Sequence, residues 1–342
     1  MRVYGSNIIP EEDRGTATVA RMSALSVIPF ADEHLDDAAR LLAERHRLQR
    51  VSEPLLDPRF EQQDDARAEI ELLWRREGAS GAVGARDGRI VGYVLGARKS
   101  DGPWGPNVWV EAAGHAVEQA EDVRDVYALA AARWVEEGRV AHYAVVPATD
   151  PALVDAWFRL CFGQQHVHAL REAPATTAAG LPAGVRRATR DDIAALAALD
   201  LVLPQHQALS PVFSSGGMQT LEEALEEWDE AIDDPELTNF VAELDGRVVG
   251  SAIACSVEKS SLHGSVARPH DAGFLGFAAV LPEARGHGLG RALGEAVIAW
   301  AAEAGYSTVV TDWRVTNLLS SRTWPRLGFR PTFVRVHRIV GH

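Results

Sequence analysis

Three alternate glycines follow an arginine in the stretch Arg285-Gly-His-Gly-Leu-Gly290. A short apolar run over residues 274–281 precedes the stretch, and apolar side chains after it recur with the three- and four-residue spacing of an amphipathic helix. The pattern predicts a strand, a glycine-rich loop, and a helix that begins at the loop and stops at Gly305. Unpaired backbone N–H groups and the positive end of the helix dipole then meet at the loop, which suits a phosphate or a pyrophosphate.

The spacing of these glycines differs from that of the common nucleotide-binding loops. A dinucleotide fingerprint has its third glycine one residue later, follows the first strand of its domain, and is closed by an acidic residue about 20 residues downstream. Here the loop lies late in its domain, and the sequence around Asp312 does not read as such a closing strand. A Walker A loop is excluded because no Gly-Lys-Ser/Thr follows the glycines.

The chain contains an internal repeat, which sets its domain organisation. Residues 87–92 (DGRIVG) recur as residues 245–250 (DGRVVG), and Asp-Gly between apolar runs predicts a β-hairpin in each copy. Residues 156–162 (AWFRLCF) match residues 323–329 (TWPRLGF) at an offset of 167. We predict a flexible lead over residues 1–24, a first domain over 25–172, a linker rich in Pro, Ala, Thr and Gly over 173–183, and a second domain over 184–342.

Composition and charge exclude several classes of protein. The 342 residues carry a net charge of −14, which argues against a nucleic acid partner. The two cysteines give no disulfide framework, no apolar run is long enough to cross a membrane, and no secretory signal begins the chain. We therefore expect a cytoplasmic protein with no membrane partner, and the sequence leaves a homodimer open. An acidic surface is compatible with a cationic substrate.

The second copy resembles the GCN5-related N-acetyltransferase (GNAT) superfamily. Two motifs carry the resemblance, the loop stretch of residues 280–290 (VLPEARGHGLG) and residues 317–329 (NLLSSRTWPRLGF), in the order and at the spacing of the family. The resemblance covers residues 184–342 well and extends more weakly, through the repeat, to 25–175. It implies an α/β (mixed α+β) fold of two tandem GNAT-type domains, each with a central mixed, mostly antiparallel sheet flanked by helices.

The resemblance also implies a reaction and a co-substrate. Members of the family transfer an acyl group from acyl-CoA. We therefore expect an N-acyltransferase that uses acetyl-CoA or another acyl-CoA, acts on a small primary amine, either cationic or neutral, and needs no metal. In the family, a backbone N–H at the end of the strand before the loop polarises the thioester, which here places it in the region 279–281. Carried over residue by residue, the expected acyl-CoA contacts are Ala278, Ala279, Val280, Arg285, Gly286, His287, Gly288, Leu289, Gly290, Arg291, Asn317, Ser320 and Trp324.

The groups that would protonate the leaving thiolate are less obvious. The helix after Asn317 commonly carries a tyrosine as general acid in the family, but this sequence has Trp324 there, and an indole does not give up its proton. Trp324 is also open to interpretation as a packing residue, because the first copy has Trp157 at the equivalent position. The side chains of Asn317, Ser320 or Ser321, or water, can instead assist the thiolate.

The base that would deprotonate the amine has two candidates. No glutamate lies on the strand before the loop, which leaves Asp312 and His206, alongside deprotonation through water. Both candidates have structural alternatives. Asp312 can be an ion-paired strand residue, and His206 has a counterpart, His46, in the first copy.

The two copies differ at the loop itself. At the offset of 167, the glycine stretch corresponds to residues 118–123 (EQAEDV), which place Glu118, Glu121 and Asp122 at the start of a helix. Carboxylates there repel a pyrophosphate, so we predict that the first copy binds no acyl-CoA and is structural or forms a wall of the acceptor site. A separate ligand of its own is the alternative.

Two other functions remain compatible with the sequence. The missing tyrosine and glutamate favour a non-catalytic acyl-CoA-binding module, and a wide acceptor groove would favour a protein acetyltransferase that modifies lysines or N-termini. The acidic run over residues 222–234 either steers a cationic acceptor or forms a solvated helix face.

Overall fold

The hairpins of the repeat form as the Asp-Gly pairs predict. The computed structural model describes residues 24–341, apart from positions 101, 103, 176–179 and 215. Asp87 and Gly88 have φ angles of 51° and 76°, and Asp245 and Gly246 have 50° and 74°, which is the left-handed pair that a type I′ turn needs. The lead predicted over 1–24 falls outside the described residues except for Ala24, and the predicted linker is described only in part.

The two copies have a similar order of elements, and among the described residues the first copy has one strand more than the second. In the first copy the strands are Ser26–Pro29 (β1), Ser80–Arg86 (β2), Arg89–Gly96 (β3), Asn107–Val110 (β4), His115–Val117 (β5), Ala141–Pro147 (β6) and Gly163–Glu172 (β7), and the helices are Leu35–Ser52 (α1), Gln63–Trp74 (α2), Asp122–Glu136 (α3) and Pro151–Phe158 (α4). In the second copy the strands are Val185–Arg187 (β8), Leu237–Leu244 (β9), Arg247–Ser256 (β10), Ala272–Val280 (β11), Thr308–Arg314 (β12) and Arg330–Ile339 (β13), and the helices are Ile193–Asp200 (α5), Val202–Ala208 (α6), Leu221–Ala231 (α7), Leu289–Glu303 (α8) and Leu318–Thr323 (α9). The offset of 167 relates α3 to α8 and β6 to β12 at both ends of each element.

The described strands form two sheets. Strands β1, β2, β3 and β5 pair in that order, and the remaining strands form a continuous sheet in the order β4-β6-β13-β7-β12-β11-β10-β9-β8. Among the described strands, the parallel pairs are β4 with β6 and β11 with β12, and the other pairs are antiparallel. The expectation of mixed, mostly antiparallel sheets flanked by helices is confirmed.

The last strands of the two copies are exchanged. Strand β7 of the first copy lies between β12 and β13 of the second, where His168 is opposite Asp312. Strand β13 of the second copy pairs in turn with β6 of the first, where Val336 is opposite Ala144. The continuous sheet therefore crosses the boundary that the repeat predicts between the domains.

A shared core and a polar contact hold the exchanged strands. Phe333 of β13 and Leu170 of β7 are buried in one cluster with Tyr93 of the first copy. Arg330 donates to both carboxylate oxygens of the buried Glu53, at 2.9 and 3.0 Å, and its terminal nitrogens also donate to Glu172. Such a forked contact fixes orientation as well as distance, so the copies are joined by hydrogen bonds, ion pairs and apolar packing.

Candidate active site

The loop before α8 has the backbone that its glycines predict. Gly286 and Gly288 have φ angles of 88° and 79°, and Gly288 is the residue that caps the N-terminus of α8. A Cβ added at either glycine would meet no atom within 4 Å. Positive φ explains why glycine is needed, and the open space lets an anion approach the backbone N–H groups. The residues present therefore fit the pyrophosphate of an acyl-CoA.

A cleft of about 430 Å³ opens at this loop. It lies between β11, the start of α8, helix α6 and helix α9. Of the expected acyl-CoA contacts, the cleft is lined by Ala278, Ala279, Val280, Arg285, Gly286, Gly288, Leu289, Gly290, Arg291, Asn317, Ser320 and Trp324. His287 is not among the lining residues; its side chain is exposed and its Nδ1 lies 3.2 Å from the carbonyl oxygen of Ala284.

The cleft forms where the neighbouring strands β11 and β12 separate from each other. They pair in parallel only from Ala272 to Leu275, after which β12 continues its pairing with β7 alone. Within the predicted oxyanion region of 279–281, the N–H of Leu281 is already donated to the carbonyl of Val249 at 2.8 Å. Since N–H direction alternates along an antiparallel strand, the N–H groups of Ala278 and Val280 face the gap instead.

A second, inner pocket of about 100 Å³ lies in the gap between the two strands. It shares the walls Leu203, Ala278, Asn317, Ser320 and Trp324 with the cleft, so the two spaces are neighbours. Beyond those walls it is lined by His166, Gln207, Leu275, Gly276, Phe277, Thr311, Asp312, Trp313 and Arg314. A ligand in the cleft therefore has polar and titratable side chains at its inner end.

The chain is similar to known proteins in sequence family and in fold. Residues 204–329 match the model of the Acetyltransferase (GNAT) family. These residues form a GNAT domain. Along most of its length the chain is also similar in fold to a GCN5-related N-acetyltransferase from Sphaerobacter thermophilus, with a TM-score of 0.55, 15% identity, and coverage of 92% of this chain and 95% of the other. The expectation of a GNAT fold in tandem copies is confirmed.

Two further solved structures match with lower TM-scores. A tandem GNAT protein from the clavulanic acid biosynthesis pathway is 18% identical, with 93% of this chain and 99% of that chain covered and a TM-score of 0.47. An aminoglycoside N-acetyltransferase in complex with CoA is 21% identical over 46% of this chain and 91% of its own, with a TM-score of 0.35. No curated relative matches the sequence.

In the GNAT domain, the predicted residues Asn317 and His206 come together. The Asn317 side chain is buried and accepts a hydrogen bond from the N–H of Ser320, which caps α9. His206, on α6, places its Nε2 3.3 Å from the same Asn317 oxygen, so the imidazole donates there. Both residues line the cleft. Ser321 turns away, since its hydroxyl donates to the carbonyl of Val315 at 2.9 Å.

Trp324 is both a packing residue and a wall of the site, which are the two roles that the sequence left open. Its side chain is buried against Phe329, and a Cβ added at Gly294 of α8 would come within 3.0 Å of its ring. It also forms part of the wall of the cleft and of the inner pocket. Its counterpart Trp157 is fully buried and lines neither space. The tryptophan therefore packs in both copies and also shapes the site in the GNAT domain.

Asp312 lies at the centre of a polar cluster in the inner pocket. The Nε2 of His166 is 3.4 Å from Asp312 Oδ1, and the Nδ1 of His263 is 3.9 Å from Oδ2. Burial raises the pKa of Asp312 to about 7, although Arg335 and Arg314 oppose the rise. Burial also holds the pKa of His166 well below its usual range, so this imidazole is neutral near pH 7. A carboxylate that titrates near neutral pH suits a general base.

His166 and Arg314 are inner-pocket residues that the sequence analysis missed. Arg314 is two residues after Asp312 on β12, so the alternation of a strand would have placed it on the same face. His166 had a weaker signal, the His-Val-His pattern in the apolar run of β7, and nothing in the sequence shows that β7 pairs with β12. The exchange of strands therefore hid part of the site.

The first copy closes its corresponding loop with ion pairs. Asp122 receives both terminal nitrogens of Arg86, at 2.5 and 2.6 Å, and Glu118 is paired with Arg89. The carboxylates predicted at the start of α3 are thus occupied by guanidinium groups of the same copy. A cleft of about 430 Å³ lies beside Glu118 in this copy as well. That it takes no acyl-CoA stays a prediction.

Other features of the sequence lie away from the GNAT site. His46 is fully buried with its Nε2 2.7 Å from the carbonyl of Asp57, and burial lowers its pKa to about 4, which fits a structural residue. Helix α7 carries the acidic run; its residues line none of the three spaces, and Asp229 pairs with Arg190. No helix among the described residues is long and apolar enough to cross a membrane. The described residues contain no group of three or more His, Cys, Asp or Glu side chains placed to hold a metal ion.

Proposed function

We propose that the protein is an acyl-CoA-dependent N-acyltransferase, which transfers an acetyl group from acetyl-CoA to a small primary amine in the second copy. The observation that carries this proposal is that the predicted phosphate site and the predicted base lie in adjoining spaces. A glycine loop at the start of α8 fits a pyrophosphate, and the cleft at that loop adjoins an inner pocket that contains the carboxyl group of Asp312.

The cleft supplies the contacts that acetyl-CoA needs. The N–H groups from Gly286 to Gly290 and the dipole of α8 attract the pyrophosphate, and the guanidinium groups of Arg285, Arg291 and Arg326 line the same space. The N–H groups of Ala278 and Val280 face the gap between β11 and β12, where they can hold the thioester oxygen. Val280 lies within the expected 279–281 region and Ala278 lies just before it, whereas the N–H of Leu281 is already donated to Val249.

Bound acetyl-CoA would supply an acetyl thioester that an uncharged amine attacks, so that a C–N bond forms and the C–S bond breaks. Asp312 takes the proton that the ammonium group must lose, because burial raises the pKa of its carboxyl to about 7. The Nε2 of His166 lies 3.4 Å from this carboxyl, and His166 lines the same pocket. The hydroxyl of Ser320 lines both spaces and can donate its hydrogen bond to the departing sulfur.

His206 is a positioning residue in this proposal. Its imidazole donates to the Asn317 oxygen that also caps α9, so it fixes the helix that carries Ser320 and Trp324. It lies on the wall of the cleft, whereas Asp312 lies in the inner pocket. Asp312 is therefore the base that we favour.

The test measures binding and turnover separately. Calorimetry is expected to show one acetyl-CoA per chain, and release of the CoA thiol is expected in the presence of a responsive small amine. Absence of acetyl-CoA binding would contradict the proposal. Binding without transfer to any amine or protein acceptor would favour a non-catalytic acyl-CoA-binding module, and transfer only to protein lysines or N-termini would favour a protein acetyltransferase.

A further inference from the structure

Arg314 presents an unpaired guanidinium group to the inner pocket. Its side chain is half-buried, and its Nε donates to Oε1 of Gln207 at 3.1 Å. In the described part of the chain, no carboxylate lies within 4.0 Å of its nitrogens, and its two terminal nitrogens have no hydrogen-bond acceptor. Burial lowers the pKa of Arg314, but a guanidinium remains charged at neutral pH. A partly buried cation without a counter-ion is costly unless a ligand supplies one.

The charged groups around the pocket do not balance. Arg335 reaches the cluster from β13, where its Nε donates to Gln165 at 2.8 Å and its guanidinium lies over two tryptophan rings. Two guanidinium groups therefore face the carboxyl of Asp312, whose pKa of about 7 leaves it partly protonated at neutral pH. Burial holds the pKa values of His166 and His263 below their usual value, so both imidazoles are uncharged at neutral pH. The guanidinium group of Arg314, which lines the pocket, therefore repels a simple ammonium ion placed beside it.

The two ends of the pocket are spaced for a ligand with two functional groups. Asp312 and Arg314 lie two residues apart on one face of β12, which separates their Cα atoms by about 7 Å. Asp312, with His166 beside it, forms the end that accepts a proton. Arg314, held by Gln207 of α6, forms the end that binds an anion.

We propose that the acceptor amine carries an oxyanion, as an amino acid does, and that Arg314 binds this oxyanion while the amine faces Asp312. The proposal rests on the N-acyltransferase function and narrows its acceptor class from a cationic amine to a zwitterion. Carboxylate, phosphonate and phosphate groups share the chemistry that a guanidinium recognises. The acidic helix α7 takes no part, since its residues do not line the pocket.

The experiment compares acceptors that differ only in the anion. Release of the CoA thiol is measured with β-alanine against propylamine, with lysine against cadaverine, and with aminopropylphosphonate as the phosphate-like arm. We expect kcat/KM to favour the anionic member of each pair by about tenfold or more, which corresponds to one charge-assisted contact. A preference for the phosphonate over β-alanine would also support the oxyanion site and would assign it to a phosphate-type group.

Substitution of Arg314 completes the test. Arg314→Met is expected to abolish the preference and Arg314→Lys to retain part of it, while the Kd for acetyl-CoA is unchanged. Arg247→Met, at an exposed arginine of the β9–β10 hairpin, is the matched control and leaves the preference intact. Equal kcat/KM for both members of every pair, or an undiminished preference in Arg314→Met, would overturn the inference. Loss of acetyl-CoA binding in the unmodified protein would instead contradict the N-acyltransferase function itself.

Discussion

The imidazole Nε2 of His166 lies 3.4 Å from Oδ1 of Asp312, although the two residues come from different copies of the repeat. The contact exists because β7 of the first copy pairs with the whole length of β12 of the second. The first copy is therefore more than a support for the GNAT domain. It contributes a side chain to the pocket in which we place the chemistry.

The phosphate cradle can be tested at Gly290 without straining the backbone. Gly290 lies in the first turn of α8 at ordinary φ, and the nearest atom to an added Cβ is 3.9 Å away. Gly290→Asp should leave the fold as stable as before, because a carboxylate in the first turn of a helix is favourable by about 0.3–1 kcal/mol. It should weaken acetyl-CoA binding at least about tenfold by charge repulsion.

The control for this variant is Gly290→Asn, which has the same size without the charge and should retain most of the affinity. Calorimetry gives the Kd, and a thermal melt reports stability. Equal affinity in the Asp and Asn variants would show that no phosphate lies at the start of α8. Gly288→Asp is a poorer test, since a φ of 79° strains any side chain there.

The pH dependence of turnover is expected to report Asp312. Burial raises the pKa of this carboxyl to about 7, so the base is protonated and inactive below that pH and active above it. The groups that face it are His166, His263, Arg314 and Arg335. On the acid side, kcat/KM should fall as the pH is lowered, with a midpoint near 7. This fall should be absent in Asp312→Asn, whose residual rate should be lower than that of the unmodified protein by a factor of about 100 or more.

Two acceptors with different amine pKa values separate the enzyme from the substrate in this profile. A midpoint that stays near 7 with both acceptors belongs to the protein. A midpoint that moves with the amine would mean that the substrate, and not Asp312, gives the acid limb.

Substitution of His166 should shift the acid limb of the pH profile of kcat/KM. Near pH 7 its neutral imidazole can donate a hydrogen bond to the Asp312 carboxylate, so its removal disfavours the charged form and raises the carboxyl pKa further. We expect His166→Phe to move the acid limb to higher pH, and His166→Gln, which keeps an N–H donor, to restore part of the shift. The Kd for acetyl-CoA should not change. A purely structural histidine would alter stability and leave the midpoint in place.

The elements of the GNAT domain could be predicted from local patterns, because each pattern reports a local preference. The glycines of residues 286–290 need positive φ and open space, and the Asp-Gly pairs need left-handed turns. Side-chain roles were harder. Trp324 both packs in the core and lines the site, and the N–H of Leu281 donates to the carbonyl of Val249 and does not face the gap. The place of His166 could not be predicted, since a strand carries no local mark of a distant partner.

The exchanged strands predict that the second copy does not fold alone. In a chain of residues 184–342, β12 would lose β7 and β13 would lose both β6 and β7. The exposed strand edges and the unburied Phe333 should abolish a cooperative thermal transition. Co-expression with residues 24–175 should restore it, as followed by circular dichroism. A stable isolated second copy with full affinity for acetyl-CoA would contradict this expectation.

The antiparallel pairing of β7 with β13 places the last strands of the two copies side by side in opposite directions. Two separate identical subunits would make such a contact across a twofold axis, and only at a sufficient concentration. Within one polypeptide the contact does not depend on concentration, and the two halves need not be identical. The first copy can therefore carry Glu118 and Asp122 in place of glycines, while its strand β7 still contributes His166 to the pocket of the other copy.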